Sequence, residues 1–571
     1  MTENTSTSHV DEIRAGYAFE GPALEFGAAV VDGTAHPDAR VRIPLSALNR
    51  HGLVAGATGT GKTKTLQLMA EQLVEQGVPV FLADIKGDLS GMASPGEPND
   101  KIAARSADVG MDWQATAYPV EFFALGGQGT GIPVRATVST FGPTLLSKVL
   151  GLNATQESSL GLVFHYADTK GLWLDTISDL RAVVQFLTGD EGKADLKDLG
   201  GLSSATAGVI LRELVNFSAQ GADVFFGLPE FDTADLLRTA PDGGGLVSML
   251  ELPRVQDRPA LFSTFLMWLL ADLFHDLPEV GDLDKPKLVF FFDEAHLLFN
   301  DASKDFVDAI QQTVRLIRSK GIGVFFVTQS PKDVPADVLA QLGNRVQHAL
   351  RAFTPDDATA LKAAVRTYPN TPYDLEELLT ALGTGEAVVT VLSEKGAPTP
   401  VAWTRMRAPE SLMAPSPEAL LTQAVAASPI APKYATAVER ESASEMLGKA
   451  ELARTEAERA AAIEAENAKV RAAAAAAAEK ERLAAEKQAA KEATAAEKQS
   501  AKDAAAAQKQ AERDAAAAAR AREAEERRRA AEPGVVESVV KSSAFRSMLR
   551  SAGTVIGREI TRSVFGTSRR R

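Results

Sequence analysis

From His51 onward the chain alternates short continuous apolar runs with stretches of helical period. HGLVAG (51–56) reads as a strand, KTKTLQLMAEQLVEQG (62–77) as a helix stopped by Gly77, and VPVFLAD (78–84) as a buried strand ending at Asp84. Strand-like runs return in GLVSMLEL, LVFFFDE and GVFFVTQ, with a helix expected at about 302–320 between the last two. RVQHALRAF and EAVVTVL add two more strands, and TPVAWTRM is expected along an edge. Strands separated by helices predict an α/β fold with a parallel-rich central sheet. Helical periods in TLLSKVLG, QESSLGLVFHYADTKG, TISDLRAVVQFL and AGVILRELVNFSAQG mark a helical insertion at about 139–240. FGAAVV and RVRIPL, divided by the turn-rich DGTAHPDA, predict a small β-meander within residues 1–48, ahead of a core at 49–408.

Beyond 408 the composition shifts. Residues 409–434 are rich in Pro, Ser and Ala and read as a linker. Residues 435–532 are dominated by Ala, Glu, Lys, Arg and Gln, and a helix over 435–531 would run about 145 Å if unbroken. Leu, Ile and Val are too scarce there for a sustained heptad seam, so a solvated helix or partial disorder is expected ahead of a coiled coil. Pro533 and Gly534 end it, and 533–571 forms a basic tail. Within 541–571, eight Lys or Arg face one Glu, interleaved with Phe545, Met548, Leu549, Val555, Ile556, Ile560, Val564 and Phe565. That pattern suits an amphipathic basic helix contacting nucleic acid or an anionic membrane, or one that only solubilises.

The 571 residues include no cysteine, which excludes disulfides, thiolate metal sites and a cysteine nucleophile, and a reducing, cytoplasmic setting is the expectation. The N-terminus has neither the basic nor the apolar region of a secretory signal. The longest apolar stretch, at 261–274, is short of the roughly 20 residues that span a bilayer, so it reads as a buried helix. A net charge of −14 argues against a chain that coats nucleic acid with its whole surface.

The chemistry centres on GATGTGKT (56–63), which follows a strand and opens a helix. Gly56, Gly59 and Gly61 let the backbone wrap a polyphosphate, and Ala57, Thr58, Thr60 and Lys64 complete the expected nucleotide-binding stretch. Lys62 is expected to reach the β and γ phosphates, and Thr63 to bind Mg²⁺. KLVFFFDEAH (287–296) reads as a strand buried on both faces that delivers Asp293 to the metal side and Glu294 to the attacking water. Gln329, at the end of GVFFVTQ, is placed to sense the γ phosphate. Arg315 and Arg318 share a helix face by i, i+3 spacing, and one of them is a candidate for a neighbouring subunit's phosphate site.

The pieces GATGTGKT, DIKGDLSG (84–91), VFFFDEAH and IRSKGIGVFFVTQSP, in this order, resemble the HerA and FtsK superfamily of ring-forming P-loop ATPases. LLFNDA, RLIRSKGIGV, VTQSPKDVP and LGNRVQHALRAFTP are more closely similar to the bacterial HerA-like proteins of the YjgR type. The resemblance spans about 15–408 with GREI and RRR in the tail. It implies a RecA-like core, Mg²⁺ and ATP between subunits, a hexamer, and Arg318 as the arginine acting in trans; Asp84 and Lys86 match a motif that packs beside the site. Three functions remain open: an ATP-driven translocase on double-stranded DNA, an ATPase acting on a protein or membrane partner, and a nucleotide-dependent assembly scaffold.

Overall fold

Buried parallel strands show no inside-outside alternation because both of their faces meet a core, and β8 (Leu288–Phe292) displays this directly. Leu288, Phe290 and Phe292 enter one hydrophobic core and Val289 and Phe291 the other, all 0–1% exposed. In the computed structural model, which describes residues 2–281, 283–299 and 304–524, β8 lies within a twelve-stranded sheet. The other strands are β1 (Ala23–Val31), β2 (Thr34–Pro44), β3 (Gly52–Ala55), β4 (Val80–Asp84), β5 (Val120–Leu125) and β6 (Ile132–Val134). They continue with β7 (Val247–Glu251), β9 (Ile322–Thr328), β10 (Asn344–Gln347), β11 (Glu386–Thr390) and β12 (Ala402–Met406). Their order is β2-β1-β12-β11-β10-β3-β9-β8-β4-β7-β5-β6. Pairing is parallel from β10 through β6, and β11, β12, β1 and β2 extend the sheet antiparallel.

One face packs against the helices Pro259–Asp276 and Lys304–Ile317 and against the helices of the 139–240 region, through Leu160, Leu180 and Ile210. The run at 261–274 is thus a buried helix, apolar because most of its circumference is covered. The other face packs against the helix Lys62–Glu75, through Leu66, Met69 and Leu73, and against Phe26, Val41 and Ile43. No described helix is long and apolar enough to cross a membrane.

Three expectations are corrected. TPVAWTRM does not edge the sheet: β12 lies between β11 and β1, because the N-terminal hairpin pairs beyond it. That hairpin is therefore part of the main sheet, and a helix at Thr2–Gly16 precedes it, docked through Val10 and Ile13, with Tyr17 buried just beyond its end. Nor do residues 409–434 form a free linker, since Leu421, Ile430 and Tyr434 are buried in the core and Ser411 is 1% exposed. Their anchor is Glu71, whose carboxylate accepts from the backbone N–H groups of Glu410 (2.8 Å) and Ser411 (3.0 Å) and from the Ser411 hydroxyl.

That anchor makes stability pH-dependent in a calculable direction. Burial pushes the Glu71 carboxyl up to about 7 from an ordinary 4.5, outweighing its hydrogen bonds to the 410–411 segment. The folded chain therefore holds this proton more tightly than the unfolded one. Its contribution is fully present below about pH 4.5 and is lost as pH rises through about 7. Glu71→Gln cannot titrate, so the stability of wild type relative to the variant should fall by about 1.4 kcal/mol per pH unit across that window. Urea unfolding of both proteins at a series of pH values measures the difference, and a constant offset contradicts the assignment.

The chain divides into two units, 1–457 and 458–571. In the first, Asp179 accepts from the hydroxyls of Ser442 (2.6 Å) and Ser444 (2.7 Å), and Glu445 accepts from the Ser442 N–H (2.7 Å). Asp179 also accepts from the Ser444 backbone N–H (3.1 Å) and so caps the helix Ala443–Ala524, which starts later than the composition suggested, at 443 rather than 435. From Glu458 to Ala516 its side chains are exposed, as strong helix formers without an apolar seam require. Pro533, Gly534 and the basic tail lie outside the described residues.

Candidate nucleotide-binding site

The glycine-rich loop leaves β3 at Ala55 and enters its helix at Lys62. It is tied down on two sides: Gly56 N–H donates to the Thr328 carbonyl at the end of β9 (3.2 Å), and Ala57 N–H to the Ala349 carbonyl just past β10 (2.8 Å). Inside the loop the Thr60 hydroxyl closes onto the Ala57 carbonyl at 2.7 Å. Gly59 (φ +80°) and Gly61 (φ +116°) occupy backbone conformations that favour glycine. A Cβ at Gly59 would meet nothing within 4 Å, so the space over the loop is open, whereas one at Gly61 would lie 3.3 Å from the Gly385 nitrogen. A glycine-rich loop of this form, running into a helix N-terminus, is one that can hold an anion.

Lys62 is 8% exposed and reaches back to the Ala57 carbonyl (3.2 Å). Burial lowers its pKa, opposed by the nearby negative charges of Glu294 and Asp293. Thr63 follows it in the first helical turn, and Lys64 donates to Gln67 (3.1 Å). Thr58 and Gly59 are exposed at the loop's tip.

β8 runs parallel beside β9, which pairs with β3, so Asp293 and Glu294 emerge at the same end of the sheet as the loop. Asp293 is 4% exposed; its Oδ1 accepts from the Glu294 N–H at 2.9 Å, and its Oδ2 is buried with no hydrogen-bond partner. Burial, then the adjacent Glu294 charge, pushes its carboxyl up to about 7. Glu294 has φ +48°, rare for a residue with a side chain, and its Oε1 pairs with the Lys86 ammonium. Burial alone would raise its pKa, but Lys86, with help from His296 and Lys62, holds it below the ordinary value. His296 Nδ1 lies 3.2 Å from Glu294 Oε2 without the alignment of a hydrogen bond.

The donor set fits Mg²⁺. A hydrated cation near Thr63 and Asp293 would satisfy the orphaned Oδ2 and offset the buried charge. Among the described residues no three His, Cys, Asp or Glu converge on a metal position, so phosphate oxygens and water would supply most of the ligands, as Mg²⁺ commonly prefers.

Thr328 is fully buried and donates to Asp333 (2.8 Å), while Gln329, next in sequence, is exposed. Gln329 lines a cleft of about 410 Å³ with Ala57, Thr58, His296, Lys332 and Arg351. Loop, Asp293, Glu294 and Gln329 therefore share one region. Arg318 does not join them. It precedes β9, whose seven residues place it roughly 23 Å along the strand from Thr328, and it lies instead near His51, at the start of β3. Arg315 is exposed one turn earlier.

Several neighbours escaped sequence reasoning. His348 is fully buried behind the loop: its Nδ1 faces the Glu386 carbonyl (2.8 Å) and its Nε2 the Thr65 hydroxyl (2.8 Å). Burial holds its pKa down to about 4, so the ring is neutral at neutral pH, donating through Nδ1 and accepting at Nε2. Arg351 donates to the Thr58 carbonyl at 3.2 Å, and buried Glu251 faces Asp84 from β7. Both Arg351 and His348 lie in HALRAF, which read only as a strand because its apolar content masked two side chains turned to the loop.

A family model described as helicase HerA-like C-terminal matches residues 30–497. The chain belongs to that family. Among HerA-like relatives, the DNA double-strand break repair helicase HerA of Sulfurisphaera tokodaii is 24% identical over 359 residues, covering 62% of this chain and 64% of that protein. Its counterpart from Sulfolobus acidocaldarius is 22% identical over 358 residues, covering 61% and 64%. The chain thus spans a little under two thirds of the length of these HerA proteins. Among solved structures, the plasmid coupling protein TrwB with the ATP analogue ADPNP aligns with a TM-score of 0.46 at 17% identity, over 70% of this chain and 99% of that one. TrwB with ADP and Mg²⁺ aligns with a TM-score of 0.44 at 17% identity, over 69% and 98%.

Proposed function

We propose that the chain is a Mg²⁺-dependent ATPase that assembles as a hexameric ring and translocates on double-stranded DNA. The observation that carries this reading is the division of the site across β9. Phosphate loop, acidic pair and Gln329 gather at one end of the strand and Arg318 lies at the other. An arginine that stabilises transferring phosphoryl charge must touch it, so Arg318 serves a neighbouring subunit's nucleotide and the loop awaits a neighbour's arginine.

In this reading the loop amides and Lys62 hold the β and γ phosphates, and Thr63 and Asp293 hold the cation. Bound there, Mg²⁺ supplies charge neutralisation across the phosphates. Glu294 orients the attacking water and accepts its proton, and Gln329, exposed on the cleft wall, responds to the γ phosphate. The family's helicase description supports a nucleic-acid track. Added duplex DNA should then raise the steady-state ATPase rate, with the stimulation declining as salt rises. A rate unchanged by duplex DNA over a range of salt rules out the DNA motor and leaves a protein-directed ATPase or a scaffold.

A further inference from the structure

The motif DIKGDL folds into a loop at the end of β4, beside β8. Asp84 shapes it: one carboxylate oxygen accepts from the Gly87 N–H (2.7 Å) and the other from the Leu89 N–H (2.8 Å). Gly87 turns the chain at φ +76°. The backbone that carries Lys86 is therefore fixed, yet the Lys86 side chain is 48% exposed and its four-carbon stem is free to swing. Its ammonium pairs with Glu294 Oε1, while Glu294 Oε2 is buried without a hydrogen bond, 3.2 Å from His296 Nδ1. Lys86 also lies close enough to Asp293 and Lys62 for their charges to be felt. Two lysines thus flank one acidic pair, Lys62 from the phosphate loop and Lys86 from the neighbouring strand.

Resting on the hydrolytic reading above, the geometry points to Lys86 as a γ-phosphate-sensing lysine that divides its ammonium between Glu294 and the terminal phosphate of a bound triphosphate. A water in contact with both Glu294 and the γ phosphate must lie within a few ångströms of the Glu294 oxygen that Lys86 covers. A γ phosphate in that position competes for the ammonium with several oxygens against one. While Lys86 covers Oε1, that oxygen is closed to water; when the triphosphate draws the ammonium away, Oε1 opens and the γ phosphate gains a cation. A diphosphate ends too early to compete. Lys86 is thus a positioning residue for Glu294 and a contact that distinguishes ATP from ADP.

The test is nucleotide affinity of the full chain with Mg²⁺, measured for ADP and for the β,γ-imido analogue of ATP in wild type, Lys86→Met and Lys86→Arg. Lys86→Met should weaken the imido analogue by about tenfold or more, the scale of a lost charged hydrogen bond, with ADP within about twofold of wild type. Retained ADP binding also reports an intact fold. Lys86→Arg should recover most of the discrimination. Equal weakening of both nucleotides, or of neither, overturns the assignment. Wild type that binds neither nucleotide overturns the hydrolytic reading itself, and this proposal with it.

Discussion

Replacing Glu294 with Gln is expected to lower ATP turnover by roughly 10²–10⁴-fold, the scale of losing a positioned general base, while ATP remains bound. Glutamine keeps the shape of the side chain but accepts no proton. On the proposed reading binding persists, because the loop and Lys62 would hold the phosphates and the substitution leaves both in place. The comparison to make is single-turnover hydrolysis against equilibrium ATP binding. A variant that binds ATP and hydrolyses it at the wild-type rate contradicts the role assigned to Glu294. Loss of binding together with turnover would instead mean that the left-handed backbone at Glu294 needs the native ion pair with Lys86.

Arg318→Ala is expected to cost more, roughly 10³–10⁵-fold in turnover, because an arginine added to a phosphoryl-transfer site acts on transition-state charge. ATP affinity of the isolated subunit should not move, since the length of β9 separates this residue from its own loop. Arg318 is only half-buried, at the turn between the helix Lys304–Ile317 and β9, and its removal relieves a positive charge near the buried His51. Burial first, with Arg318 adding to it, holds His51 down to about 4.

The parts of the site that were legible are those whose chemistry is contiguous in the chain. GATGTGKT announces its own backbone conformation through its glycines, and the five apolar residues of β8 imply a strand covered on both faces that must deliver Asp293 and Glu294 to an end of the sheet. That Arg318 lies at the wrong end of β9 for its own loop also follows from order alone, once β3 and β9 are parallel.

What could not be read depends on partners far apart in sequence. Serines at 411 and 416 look like linker residues until their hydroxyls are seen to donate to Glu71 and to the Ser90 carbonyl, because a serine carries no mark of whether its hydroxyl meets water or a buried acceptor. His348 and Arg351 hide in an apolar run whose pattern signals only burial. β12 lies inside the sheet because a hairpin from the other end of the core pairs with it, and no local pattern distinguishes an inner antiparallel strand from an edge. β5 carries Glu121 within VEFFAL, a buried acid that weakened the strand signal and is paired with Arg238.

The central claim is that each hydrolysis site is completed by a second subunit, and mixing the two inactive variants tests it most directly. In a co-assembled mixture of Glu294→Gln and Arg318→Ala, some interfaces join an intact Glu294 in one subunit to an intact Arg318 in the next. The account predicts that the mixture regains ATP turnover well above either variant alone. A co-assembled mixture as inactive as its two components would contradict it.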